Sequence, residues 1–182
     1  ITDHGVMYGA VDFYKAAKKA GVKAIIGCEM YMASRGLGDK LFSLDRENYH
    51  LVLLVKNEKG YKNLIKLNSI AHTEGFYSKP RIDMKALAGH SEGLIALSAC
   101  VGGRIPQNIL AGDYEGAKKH ALEMKEIFGE DFYLEIQDHS IAEEAIVTSS
   151  LVRLSRETGI PLVATNDVHY LDKSDAESHA VL

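Results

Sequence analysis

Side chains able to bind a divalent cation recur in this sequence where an apolar run has just ended. Asp3-His4 stands behind Ile1-Thr2, Glu29 follows VKAIIGC, Cys100 follows LIALSA, and Asp167-Val168-His169 follows PLVATN. In a parallel α/β sheet, residues just past the carboxyl ends of strands converge on one rim, so four separate segments would deliver ligand types to one place. Asp167 and His169 are two apart, and in an extended stretch both side chains point to the same side, which is a chelating geometry. Nitrogen, carboxylate and thiolate donors together suit zinc, manganese or iron better than magnesium or calcium, which prefer all-oxygen shells. A single histidine such as His4 is more often a surface or hydrogen-bonded residue than a ligand. The joint pattern carries the inference.

His50 requires a different path, because it precedes the run LVLLV and would lie at the wrong end of a parallel strand. If the stretch ending near Met32 passes the rim and the chain returns through the polar loop Ser34–Asn48 as an antiparallel strand, His50 comes back beside Glu29. That loop is the expected site of a mobile flap. Cys28 neighbours Glu29, and strand alternation points it to the opposite face, toward a core. His72, His90, His120, His139 and His179 sit on helices or in loops without a second ligand type at chelating spacing, except that Asp138-His139 ends a strand, and all five are given no metal role. Arg81, Lys79 and Lys56 are the basic groups best placed for phosphate, and Tyr77 is the candidate for stacking on a base, although no basic and aromatic cluster surrounds them.

The elements needed to position these residues are legible. Short apolar runs at Val22–Gly27, Leu51–Val55, Leu94–Leu97, Phe132–Ile136 and Pro161–Thr165 alternate with helical patterns at Gly9–Ala20, Tyr61–His72, Tyr114–Phe128 and Glu143–Thr158. Helix stops fall at Gly21, Gly129 and Gly159-Ile160-Pro161. The alternation predicts an α/β fold with a largely parallel sheet, closed into a barrel rather than doubly wound. Ile1 is expected to end a further strand, giving about six in all. Both ends of the sequence look like cuts through structure, so residues 1–182 are expected to form one domain truncated at both ends.

Composition bounds the function classes. The 182 residues are 46% hydrophobic and 25% charged, enough for one sizeable core. A net charge of -4 gives no global footprint for a polyanion, so any DNA would be held mainly by other parts of a larger protein. Two distant cysteines outside any C-x-x-C pairing suggest neither a disulfide framework nor a zinc knuckle, and a reducing cytoplasm is expected. No apolar run approaches the roughly 18 residues a membrane helix needs. There is no glycine-rich phosphate cradle of the dinucleotide-binding or P-loop kind.

Assembled, Thr2-Asp3-His4-Gly5, Gly27-Cys28-Glu29-Met30-Tyr31, Tyr49-His50-Leu51-Val52, Phe76-Tyr77-Ser78-Lys79-Pro80-Arg81-Ile82-Asp83, Ser98-Ala99-Cys100-Val101-Gly102-Gly103 and Thr165-Asn166-Asp167-Val168-His169-Tyr170 resemble the PHP (polymerase and histidinol phosphatase) domain of bacterial DNA polymerase III alpha subunits. Without an inserted exonuclease domain, the resemblance is to the DnaE type. It implies a distorted (β/α)7 barrel, incomplete here because the family's first motif, His-x-His on the first strand, is absent. It implies up to three metal ions, zinc, manganese or iron, with His4, Glu29, His50, Cys100, Asp167 and His169 at ligand positions and Asp3 orienting its neighbour. Glu29, Asp167 and His169 would then be the catalytic residues. The resemblance further implies a parent that is a DNA-directed DNA polymerase, with the rest of the alpha chain, DNA and a proofreading exonuclease subunit as partners. The domain's own chemistry would be phosphodiester hydrolysis with 3′ to 5′ proofreading. Its rivals are a non-catalytic scaffold docking the proofreading subunit and a small-molecule phosphatase of the histidinol phosphate type.

Overall fold

The computed structural model of the chain describes residues 1–181. Asp3-His4 bridges to the next strand and the chain bends at Gly5, φ 67°, before α1 (Ala10–Ala20), which stops at Gly21 in the left-handed region, φ 70°. Glycine adopts that conformation without a Cβ clash. There follow β1 (Gly27–Ala33), α2 (Phe42–Asp45), β2 (Asn48–Val55), α3 (Glu58–Thr73), β3 (Arg81–Ile82), α4 (Met84–Gly89) and β4 (Leu94–Leu97). The remainder holds α5 (Arg104–Leu110), α6 (Tyr114–Phe128), β5 (Phe132–Ile136), α7 (Ala142–Thr158), β6 (Leu162–Ala164) and α8 (Ala176–His179). Side chains of Asn57, Asp83 and Asp113 accept the free N–H groups at the starts of α3, α4 and α6.

The strands form one six-stranded sheet in the order β3-β1-β2-β4-β5-β6. It is mixed rather than largely parallel: β1 pairs β2 antiparallel and β2 pairs β4 antiparallel, while β1–β3, β4–β5 and β5–β6 are parallel. The reversal is the one anticipated for His50, with the register Glu29↔Val52 and Tyr31↔His50. The sheet is open, with β3 and β6 at its edges, so the expected barrel is not closed in this chain. Val22–Ile26 is not strand; pairing begins at Gly27 and runs through the ligand-bearing residues to Ala33. In place of the strand expected to end at Ile1, Asp3–Gly5 pairs with Glu29 on the same edge of β1 as β3.

The Ser34–Asn48 segment is tied down rather than free. It contains α2, and the buried Asp45 accepts from Arg35 Nη2 at 2.6 Å and from the Leu41 N–H at 2.8 Å.

Strand alternation sorts the two faces of the sheet. Cys28, Met30, Met32, Leu51, Leu53, Ala96, Phe132 and Leu134 join the large core shared with α3, α5, α6 and α7. Val52, Leu97 and Ala99 form a smaller cluster on the other face, and Glu29 lies on that side. Phe132 is fully buried in the large core, so Phe132→Ala is expected to cost about 3–5 kcal/mol through lost burial and an unfilled cavity. Amide hydrogen exchange of β4 and β5 in the full-length parent protein measures it, and unchanged protection would refute the placement of the core.

Candidate metal centre

Glu29 sits in a strand whose seven residues are all buried, and it is itself only 4% exposed. A buried carboxylate needs a compensating partner. Its Oε1 has two: His4 Nδ1 at 2.7 Å and His50 Nδ1 at 3.3 Å. His4 is placed by the backbone bonds of its neighbours to β1, with Glu29 N–H donating to Asp3 O and Gly5 N–H donating to Glu29 O. His50 is placed by the β1–β2 hairpin and by its own N–H, which donates to Gly102 O at 3.0 Å.

Cys100 enters on the turn after β4, where Ala99 takes φ 65°. Its Sγ lies 3.6 Å from His50 Nδ1 and accepts the Gly102 N–H at 3.4 Å. A Cβ on Gly102 would stand 2.9 Å from His50 Nδ1, so glycine is what lets this turn approach the ring. Glu29, His50 and Cys100 offer donor atoms that all lie within 4.8 Å of one another, the one such trio among the described residues. Burial pushes the Cys100 thiol up to about 11, opposed by the Gly102 N–H and reinforced by the Glu29, Asp167 and Glu135 carboxylates.

Asp167 and His169 face the same region from beyond β6. Together with His4, Glu29 and Glu135 they line a cavity of about 760 Å³ whose apolar wall includes Val52, Leu54 and Leu97. The His4 and His169 rings are 5.4 Å apart. Asp167 takes φ 42°, an uncommon conformation for a residue with a side chain, and its carbonyl faces His169 Nδ1 at 2.7 Å. All six residues expected as ligands therefore gather on one side of the sheet, three at chelating spacing and His4, Asp167 and His169 around the adjoining cavity.

Other expectations are corrected. The Asp3 carboxylate does not orient His4; it accepts the Gly9 N–H at 2.9 Å, just ahead of α1. Arg81 is 0% exposed and donates to the carbonyls of Gly75, Asp45 and Asp39, so it holds the fold together and cannot reach a phosphate. Tyr77 has one ring face covered by the Arg81 guanidinium at 5.1 Å. Lys56 pairs with Asp131 at 2.7 Å. Lys79 is exposed, over the ring of Tyr31 at 5.2 Å, and Tyr31 in turn meets His50 edge-on.

Glu135 escaped the sequence reading, and His139 and His179, which it gave no metal role, also stand at or beside the cavity. Glu135 lies in an apolar strand, next to its last residue; burial raises its pKa, and its Oε2 has no hydrogen-bond partner among the described residues. His139 pairs with Glu144 at 2.6 Å, and that contact, with the Asn166 carbonyl, holds its pKa above the usual range. His179 reaches the cavity from α8, 5.4 Å from the His169 ring, and no local spacing announces it.

The donor set fits a cation. A buried carboxylate, two imidazoles and a thiol are gathered with a further buried carboxylate oxygen left unpaired, an arrangement a positive ion would satisfy. Among the described residues no helix is long and apolar enough to cross a membrane.

Comparison with known proteins agrees with this geometry. The family model for the PHP domain matches residues 1–139. The whole chain is 53% identical over 183 residues to DNA polymerase III subunit alpha of Borreliella burgdorferi, covering 16% of that protein. It is 46% identical over 184 residues to the Treponema pallidum subunit, 16% of it, and 47% identical over 184 residues to the Thermus aquaticus subunit, 15% of it. The chain thus spans about a sixth of the length of these relatives. A matching family model, full-length similarity and a cavity ringed by the motif residues lead to one conclusion: the chain belongs to the PHP domain family, in the form found in DNA polymerase III alpha subunits.

Proposed function

We propose that this chain is part of a DNA-directed DNA polymerase, and that the PHP domain's own chemistry is metal-dependent hydrolysis of the phosphodiester at a DNA 3′ end. The observation that carries the proposal is the trio Glu29, His50 and Cys100, with donor atoms within 4.8 Å of one another, whose Glu29 also lines the cavity of Asp167 and His169. Zinc, manganese or iron suits such mixed donors. When bound, the cation would supply Lewis acidity and offset charge developing on the phosphate.

The protein's residues divide the remaining work. Glu29, His50 and Cys100 would hold the ion, Asp167 and His169 present a second carboxylate and imidazole across the cavity, and the Val52–Leu54–Leu97 wall limits water there. Lys79, exposed beside Tyr31, is free to meet a phosphate. A net charge of -4 leaves most DNA affinity to the rest of the alpha chain. Such a parent works in the cytoplasm, where a proofreading exonuclease subunit is a further partner. Similarity to polymerase alpha subunits at 53% identity tells against a free-standing small-molecule phosphatase.

The test uses the full-length parent chain and its Asp167→Ala, His169→Ala double variant on a primer with a mismatched 3′ end. Hydrolysis that falls by about 100-fold or more in the variant is the expected result, since loss even of groups behind a ligand costs 10–100-fold. Metal bound without any hydrolysis in the wild type would leave a structural scaffold that docks the proofreading subunit.

A further inference from the structure

We propose that His139, backed by Glu144, is a positioning residue that sets the backbone carrying Asp167 and His169, and that metal affinity on that side of the cavity depends on it. The inference rests on the metal-dependent function proposed above. Glu135 within β5, Gln137 just past it and His139 at the bend that follows all place their polar groups against the segment past β6. Their neighbour is β6, paired in parallel through Glu135↔Val163 and Ile136↔Ala164. The three side chains grip successive residues of the segment just past β6. The Thr165 hydroxyl donates to Glu135 Oε1, and Gln137 Nε2 donates to Thr165 Oγ1 at 3.2 Å. His139 Nε2 meets Asn166 O at 2.8 Å.

That last contact fixes more than one atom. A carbonyl only accepts, so Nε2 carries the proton. The Asn166 carbonyl lies in the peptide plane that also holds the Asp167 N–H, and anchoring its oxygen fixes the plane from which Asp167 turns to φ 42°. A side-chain-bearing residue persists in that region only when its surroundings over-determine it. The Asp167 carbonyl then meets His169 Nδ1 at 2.7 Å, so the setting passes on to the second candidate ligand. His139 is itself held at two points: Nδ1 lies 2.6 Å from Glu144 Oε1, and its backbone N–H donates to Glu144 Oε2 at 2.6 Å. Glu144 is buried at the start of α7, which gives the clamp a rigid base.

In the full-length parent chain, Mn(II) titration followed by electron paramagnetic resonance would compare wild type with Asp167→Ala, His139→Ala and His139→Gln, each checked for folding by circular dichroism. Glutamine places an amide N–H where Nε2 stands and can still donate to the Asn166 carbonyl. The sites lost in Asp167→Ala are expected to weaken about 10-fold or more in His139→Ala and to recover most of their affinity in His139→Gln. Wild-type affinity in His139→Ala, with sites lost in Asp167→Ala, would overturn the clamp and leave the metal centre standing. Equal losses in both His139 variants would also overturn it. No Mn(II) loss in Asp167→Ala would instead overturn the proposed metal function on this side of the cavity.

Discussion

Replacing Glu29 by Ala in the full-length parent chain is expected to remove metal from the centre and abolish hydrolysis of a mismatched 3′ end. Glu29 is the member of the trio that two histidines share: its Oε1 lies 2.7 Å from His4 Nδ1 and 3.3 Å from His50 Nδ1. It also supplies the negative charge that a cation needs at a place the solvent barely reaches. Loss of groups that merely orient a ligand costs 10–100-fold in metal affinity, so loss of this one should exceed about 100-fold. The same logic gives a readout independent of catalysis. Zinc at about 100 times its dissociation constant should stabilise the wild-type domain by about 2.7 kcal/mol and the variant by less than about 0.4 kcal/mol. Glu29→Gln, which fills the same space, should behave like Glu29→Ala toward metal while keeping the core packed, separating ligand loss from cavity formation. A variant that retains its full metal complement after dialysis against chelator would place the centre elsewhere.

Much of this site was legible because its residues stand at the ends of apolar runs, and the sheet carries such ends to one rim. Cys100 and the Asp167-x-His169 pair follow that rule, and the placement of His50 beside Glu29 followed from the length of the Ser34–Asn48 loop and from His50 standing ahead of LVLLV, at the wrong end for a parallel strand. Helices α1, α3, α6 and α7 were predictable from 3.6-residue periodicity and glycine stops. The failures have physical causes. VKAIIG reads as a strand by β-propensity, but the run with a partner across the sheet begins at Gly27, and pairing rather than propensity decides. Helices α4 and α5 are six and seven residues long, too short for a periodic signal, and depend on tertiary packing of residues such as Leu87 and Ile105. Closure of the sheet is invisible to periodicity. His139 was passed over because its partners, Glu144 and Asn166, are a buried carboxylate and a backbone carbonyl that no spacing rule brings together.

Arg81 shows why charge alone misleads, and its removal should have the largest effect on the fold. Sequence offers it as a phosphate contact, yet it is fully buried on β3 beside Tyr31 of β1. Its Nε donates to Gly75 O at 3.0 Å, Nη1 to Asp45 O at 3.2 Å and Nη2 to Asp39 O at 3.2 Å. Two of these three carbonyls belong to the segment joining β1 to β2, the connection that fixes the register placing His50 opposite Tyr31. Arg81→Ala would leave three carbonyls short of donors around an empty volume, at a cost of about 3–5 kcal/mol. Arg81→Lys keeps the charge but lacks the planar fork, so it should rescue little. In the full-length parent chain, limited proteolysis should cut between residues 34 and 48 far faster in Arg81→Ala than in wild type. Metal affinity at Glu29, His50 and Cys100 should fall with it, because that trio exists only while β2 keeps its register. Proteolysis and affinity both unchanged would mean that Arg81 is dispensable and that the hairpin holds its own register.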